Sequence, residues 1–134
     1  MSLYLIQGAL EKRLAELTPT IQTAYENTAF TPVIGQAYQR VSFLPNTPID
    51  HGIAFDVKEW RGLFQVSLLY PSGASRKDAQ QRAEALVAHF DPMQTLSATG
   101  LRIVVNRSPA VAGGFVDDGY WHVPVTVDWS AFRT

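Results

Sequence analysis

Leu3, Ile6, Leu10, Leu14 and Leu17 recur at intervals of three and four. That spacing lines them along one stripe of a helix over residues 2–17, with Glu11, Lys12 and Glu16 off the stripe. Ser2 stands where a cap is needed, and Thr18-Pro19 ends the helix because the residue before proline resists the α region. A second stripe, Ala79, Ala83, Leu86, Val87 and Phe90, predicts a helix over 75–90. Ser75 and Asp78 have capping-box spacing, and Asp91-Pro92 closes the element. Burying Leu86, Val87 and Phe90 contributes about 1.5–3 kcal/mol each.

Elsewhere the period is two. Val41 and Phe43 alternate with Arg40 and Ser42 in a strand that stops at Pro45, and the following NTPIDHG reads as a turn. Ile53, Phe55 and Val57 alternate with Ala54, Asp56 and Lys58. Past Trp60-Arg61-Gly62, the residues Phe64, Val66, Leu68 and Tyr70 form one face, with Gln65 and Ser67 on the other. Two such runs joined by a short Gly-containing link predict an antiparallel hairpin whose tip carries Trp60 and Arg61. Leu101, Ile103 and Val105 form a further strand, and the loop GGFVDDG leads to the closing segment. There Trp121, Val123, Val125, Val127 and Trp129 occupy odd positions, and Tyr120, His122, Pro124, Thr126 and Asp128 even ones. The alternation predicts a strand with a buried odd face and with His122 and Thr126 more exposed. Pro124 cannot donate to a ladder, so it requires an edge, a bulge or an outward-facing nitrogen. Residues 19–36 read as an ordered loop pinned by Tyr25 and Phe30, with a short strand near 24–26. The order of elements predicts an α+β fold: one domain over 1–134, a mainly antiparallel sheet of four to six strands, and two helices packed on one face.

Composition narrows the function. The chain has 134 residues, enough for a real core, and no cysteine, so disulfides and thiolate metal sites are excluded. Apolar runs fall short of the roughly 20 residues of a membrane span, and the N-terminal stretch lacks the basic leader of a signal peptide. Lys and Arg number 11 against 12 Asp and Glu, with only the pairs Lys12-Arg13 and Arg76-Lys77, so no basic block suits duplex nucleic acid. Charged residues make up only 17% of the chain, which suits a surface partly covered by partners.

Catalytic patterns are missing from the sequence. His51, His89 and His122 have none of the spacings of a zinc site. Asp50-His51 is an adjacent pair with no serine elbow or cysteine nucleophile to serve. His122 and Asp128 lie six residues apart, about 20 Å along a strand, too far for one hydrogen-bonded pair. Gly113-Gly114 lacks the following Lys and Ser/Thr of a phosphate loop and reads as a hairpin tip, and Asp117-Asp118 before a glycine reads as a turn. Tryptophan and tyrosine on alternating strands read as core and interface. No cofactor and no metal are expected.

Four stretches resemble the tail terminator family of long-tailed bacteriophages: LIQGALEKRLAEL followed by AYENTAFTP; AYQRVSFLPNTP; GLFQVSLLYPSGASRKDAQQRAEALVAHF; and LRIVVNRSPAV with DDGYWHVPVTVDW. They span almost the whole chain. The resemblance implies a non-catalytic α+β protein that forms a ring, typically a hexamer. Such a ring caps the head-proximal end of the tail tube, ends tube polymerisation and meets a head-completion protein; the family offers no catalytic residues to carry over. It implies a place in the virion tail after assembly in the host cytoplasm, with no membrane and no specific nucleic-acid partner. A ring closed by rotation needs two different adhesive surfaces on one subunit. The candidates are residues 50–62, with Asp50, His51, Trp60 and Arg61, and the 113–119 loop with Phe115. Competing readings are a neck protein joining head and tail, a small ligand-binding domain using aromatics around His122, and an enzyme with His51 or His122 as base.

Overall fold

The computed structural model describes residues 3–52, 57–73, 76–92 and 94–134. Ser2 and Ser75, read as caps, and Ile53, Ala54, Phe55 and Asp56, read as strand, lie outside them. The chain runs α1 (Leu3–Ala15), β1 (Gln22–Ala24), β2 (Tyr38–Pro45), β3 (Ile49–His51), β4 (Val57–Pro71), α2 (Arg76–His89), β5 (Thr95–Ala98), β6 (Leu101–Val105), β7 (Ala110–Val111), β8 (Phe115–Asp117) and β9 (Tyr120–Arg133). This is the expected α+β fold. Its sheet has nine strands among the described residues, more than the four to six expected, because β1, β3, β7 and β8 are too short to carry a periodicity.

Two long strands form the spine. β4 and β9 pair antiparallel over their length, with Phe64 opposite Val127, Val66 opposite Val125 and Leu68 opposite Val123. β2 and β3 follow one another along the far edge of β4, and β8, β7 and β6 follow one another along the far edge of β9. β1 joins β2 in the parallel sense, and β5 joins β6 antiparallel. The odd face of β9 is buried as the alternation requires: Val123, Val125, Val127 and Trp129 join Phe64, Val66 and Leu68 in one core. Ile6, Leu10 and Leu14 of α1, with Ala79, Ala83 and Leu86 of α2 and the adjoining Phe90, close over that face. The stripes are buried in their middle: Leu3 is exposed, and Leu17, beyond the end of α1, and Val87 are only partly buried. Trp121, near the start of β9, is only partly buried.

The helices are also tied to each other. Arg13 donates to the carbonyl of His89 at 3.0 Å, and the His89 ring returns a bond to the Arg13 carbonyl. Arg82, buried within α2, donates to the carbonyl of Pro19, fixing the chain just after α1. These contacts place His89 in a structural role at the helix ends.

Three expectations are corrected. No hairpin tip lies at Trp60-Arg61-Gly62; β4 runs straight through them, paired with Ala131, Ser130 and Trp129 of β9. Ile49, Asp50 and His51, read as turn, instead form β3 against Glu59, Lys58 and Val57. Gly62 mimicked a turn glycine, but it is a packing glycine: a Cβ there would lie 2.5 Å from the Leu44 carbonyl oxygen and 2.8 Å from the Trp129 ring. The third correction is His122, which is buried at 7% exposure. The short strand β8 folds back over it, with the Phe115 and His122 rings 4.5 Å apart.

Pro124 sits in the middle of the sheet, opposite Ser67. Its carbonyl accepts from Ala112, on the side where β8 gives way to β7. A residue's nitrogen and carbonyl point the same way in an antiparallel ladder, so the missing donor falls in that gap rather than against β4.

Candidate functional site

Asp50, His51, Trp60 and Arg61 gather at one end of the sheet, where β3, the start of β4 and the end of β9 meet. Their side chains divide by pleat. On the helix-free face, Glu59 is the hub: its carboxylate accepts from Ser130 Oγ at 2.6 Å and lies 3.0 Å from His51 Nε2. Asn106 Nδ2 donates in turn to Ser130 Oγ at 2.9 Å. The Ser130 hydroxyl first, and the His51 bond second, hold the Glu59 carboxyl below the usual carboxylate range. Arg61 Nε donates to the Thr47 carbonyl at 2.9 Å, bracing the β2–β3 connection. Asp50 faces Lys58 at 3.9 Å.

Two arginines complete this end. Arg133 lies over the Trp60 ring, 6.0 Å from its centroid, on the helix-bearing face. Arg102 lies over Phe132, 5.4 Å from the centroid, on the other. Neither has an ion-pair partner among the described residues. Sequence reasoning missed Arg102, Phe132 and Arg133 as a group. The signal was there in part: period two continues beyond Trp129 through Ala131, which places Phe132 and Arg102 on the outer face.

Phe115 lies elsewhere. β8 pairs it with His122, which pairs with Leu69, nine residues along β4 from Trp60. At about 3.3 Å per residue that is roughly 30 Å. The structure therefore does not bring Phe115 together with Asp50, His51, Trp60 and Arg61; it sets them at opposite ends of one sheet. Around Phe115, Asp117 lies 3.1 Å from His122 Nδ1 and 3.9 Å from Arg40. Tyr38 packs on Tyr120 and Phe30, with centroids 5.2 Å apart in each case. The β8–β9 reversal turns on Asp118 and Gly119, with φ of 49° and 80°, the left-handed pair that a tight hairpin demands. Of the Asp117-Asp118 stretch read as a turn, Asp118 lies in the turn while Asp117 ends β8, and Gly114 lies close against the Trp121 indole rather than at the tip.

His51 and His122 are far apart on the sheet, and His89 is committed to the helix ends. Among the described residues no group of three or more His, Asp or Glu could hold a metal ion, and no helix is long and apolar enough to cross a membrane. An open groove of about 710 Å3 runs along α1, lined by Tyr4, Gly8, Lys12, Tyr25 and Ala98. It lies away from His122, around which a ligand pocket had been the competing expectation.

A sequence model of the phage tail terminator protein family matches residues 5–129. No curated protein matches the chain. Seven chains of solved structures match; one is 30% identical, aligns over 100% of this chain and 97% of its own length, and superposes with a TM-score of 0.80.

Proposed function

The chain belongs to the phage tail terminator family, structural proteins of the bacteriophage tail, and from that premise we propose that it forms a hexameric ring on the head-proximal end of the tail tube. The ring ends tube polymerisation and offers its other face to a head-completion protein. Its partners are copies of itself, the tail tube protein and a neck protein. The protein acts without catalysis, cofactor, membrane or specific nucleic-acid contact, and it is assembled in the host cytoplasm. The observation that carries this reading is the extent of the family match, which spans residues 5–129. The placement of unlike groups supports it, since a closed ring needs two unlike surfaces and the two ends of the sheet present different side chains.

The test is direct. Purified protein is sized by light scattering and viewed by negative stain, alone and mixed with tail tubes. Six-fold rings, free or seated on one end of the tubes, are expected. Phage lacking the gene should make overlong or headless tails, restored by the protein in trans. Tubes of normal length that merely fail to join heads would instead assign the chain to the neck.

A further inference from the structure

At both ends of the β4–β9 sheet, side chains that pack within the fold also present surface to solvent. At the β8–β9 end, Phe115 is 47% and Val116 65% exposed, although both are large and apolar. Asp118, at the turn beyond them, has no ion-pair partner among the described residues. At the other end Arg102 and Arg133 lie over the rings of Phe132 and Trp60, with no ion-pair partner among the described residues. A guanidinium placed over an aromatic ring can still direct N–H donors to a carboxylate. Trp and Arg are also the residue types that dominate interface energies. One end is thus apolar and acidic, the other aromatic and cationic.

We propose that these two ends bind each other between neighbouring copies of the chain. The β8–β9 hairpin tip of one subunit, with Phe115, Val116 and Asp118, seats against Trp60, Phe132, Arg102 and Arg133 of the next. The inference rests on the ring reading and specifies how the ring closes. The contact is heterologous, pairing unlike patches on the two subunits, so it propagates from copy to copy and closes by rotation. A two-fold contact at either end is opposed by charge: it would place arginine against arginine, or Asp118 against Asp118. The cationic end does hold Glu59 and Asp50, but Glu59 is occupied by Ser130 and His51, and Asp50 faces Lys58. The two patches are about 30–40 Å apart along the sheet, too far to satisfy each other within one subunit.

The absence of cysteine makes the test clean. Asp118→Cys and Arg133→Cys are introduced singly, with Gln81→Cys on the exposed side of α2 as a control, and treated with a short bis-maleimide. Protein is taken from the same samples in which rings are scored by stain. Mixing the Asp118→Cys and Arg133→Cys proteins should give cross-linked dimers at least fivefold above either protein alone or above the control. The double variant should give a ladder that ends at the ring size. Rings that cross-link Asp118→Cys to itself, to the tube protein, or no better than the control would overturn this contact and leave the ring reading standing. Wild-type protein that forms no ring, either alone or on tubes, would sink both.

Discussion

Replacing Gly62 by alanine adds one methyl group, and the structure says where it would go. The Cβ would lie 2.5 Å from the Leu44 carbonyl oxygen, 2.8 Å from the Trp129 ring and 2.9 Å from the Pro45 Cα. Two of those three atoms are backbone of β2, which pairs Pro45 with Gly62, so they cannot swing aside. The third belongs to a fully buried indole that is itself stacked on Phe43 at 5.3 Å, with the rings 6° from parallel. Relief requires β2 to move off β4, or the Trp129–Phe43 stack to open. Overpacking of this kind costs about 1–3 kcal/mol and occasionally more. With backbone on two sides, the upper part of that range applies. Against it, alanine is better than glycine in an extended element by roughly 0.5–1 kcal/mol. The expected net loss is about 2 kcal/mol, a fall in Tm of roughly 8 °C for a domain of this size. Urea unfolding followed by tryptophan fluorescence measures it. Gly8→Ala is the matched control, because a Cβ on Gly8 in α1 meets nothing within 4 Å. It should stabilise by about 0.5–1 kcal/mol. If Gly62→Ala came within 0.5 kcal/mol of wild type, the close packing of β2, β4 and Trp129 would be refuted.

Four further outcomes follow from the same contacts. Val125→Asp places an unpaired charge at a position with no exposure and should cost about 4 kcal/mol or leave the chain unfolded by circular dichroism. His122→Ala removes the bond to Asp117 and the packing under Phe115; a loss of about 1–2 kcal/mol is expected in urea, where a sequence-based reading of His122 as exposed expects almost none. Because Glu59 has a lowered folded pKa, its contribution is complete above the ordinary carboxylate value of about 4.3 and is lost as pH falls through the lower folded one. Melting of wild type and Glu59→Gln should therefore differ at neutral pH and converge in acid, whereas a gap independent of pH would mean that the charge is not what matters. The Trp60→Ala, Arg61→Glu double variant should keep its fold, since both side chains are only partly buried, yet lose rings in negative stain; normal rings would move the contact away from this end.

The apolar patterns that decided the fold are local, and they were legible without coordinates. The two helices, the β2 strand, the buried odd face of β9 and the α+β class all follow from which residues one element places side by side. Such periodicities hold whatever the element packs against. The resemblance added the family, and no catalytic pattern argued against it. What the sequence could not express is pairing between distant segments. Residues 57–71 read as two runs broken by a glycine because a turn glycine and a packing glycine look alike until Leu44 and Trp129 are known to crowd one of them. His122 read as exposed because the alternation of β9 describes one strand, while its burial depends on β8 folding back to lay Phe115 over it. The candidate surface divided in the same way. Asp50, His51, Trp60 and Arg61 were chosen as one segment and stayed together, but Phe115 went to the far end, and Arg102, Phe132 and Arg133 joined from strands distant along the chain. Strand register sets these positions. It is a property of hydrogen bonds between segments whose ends the chain itself leaves free to meet in many ways.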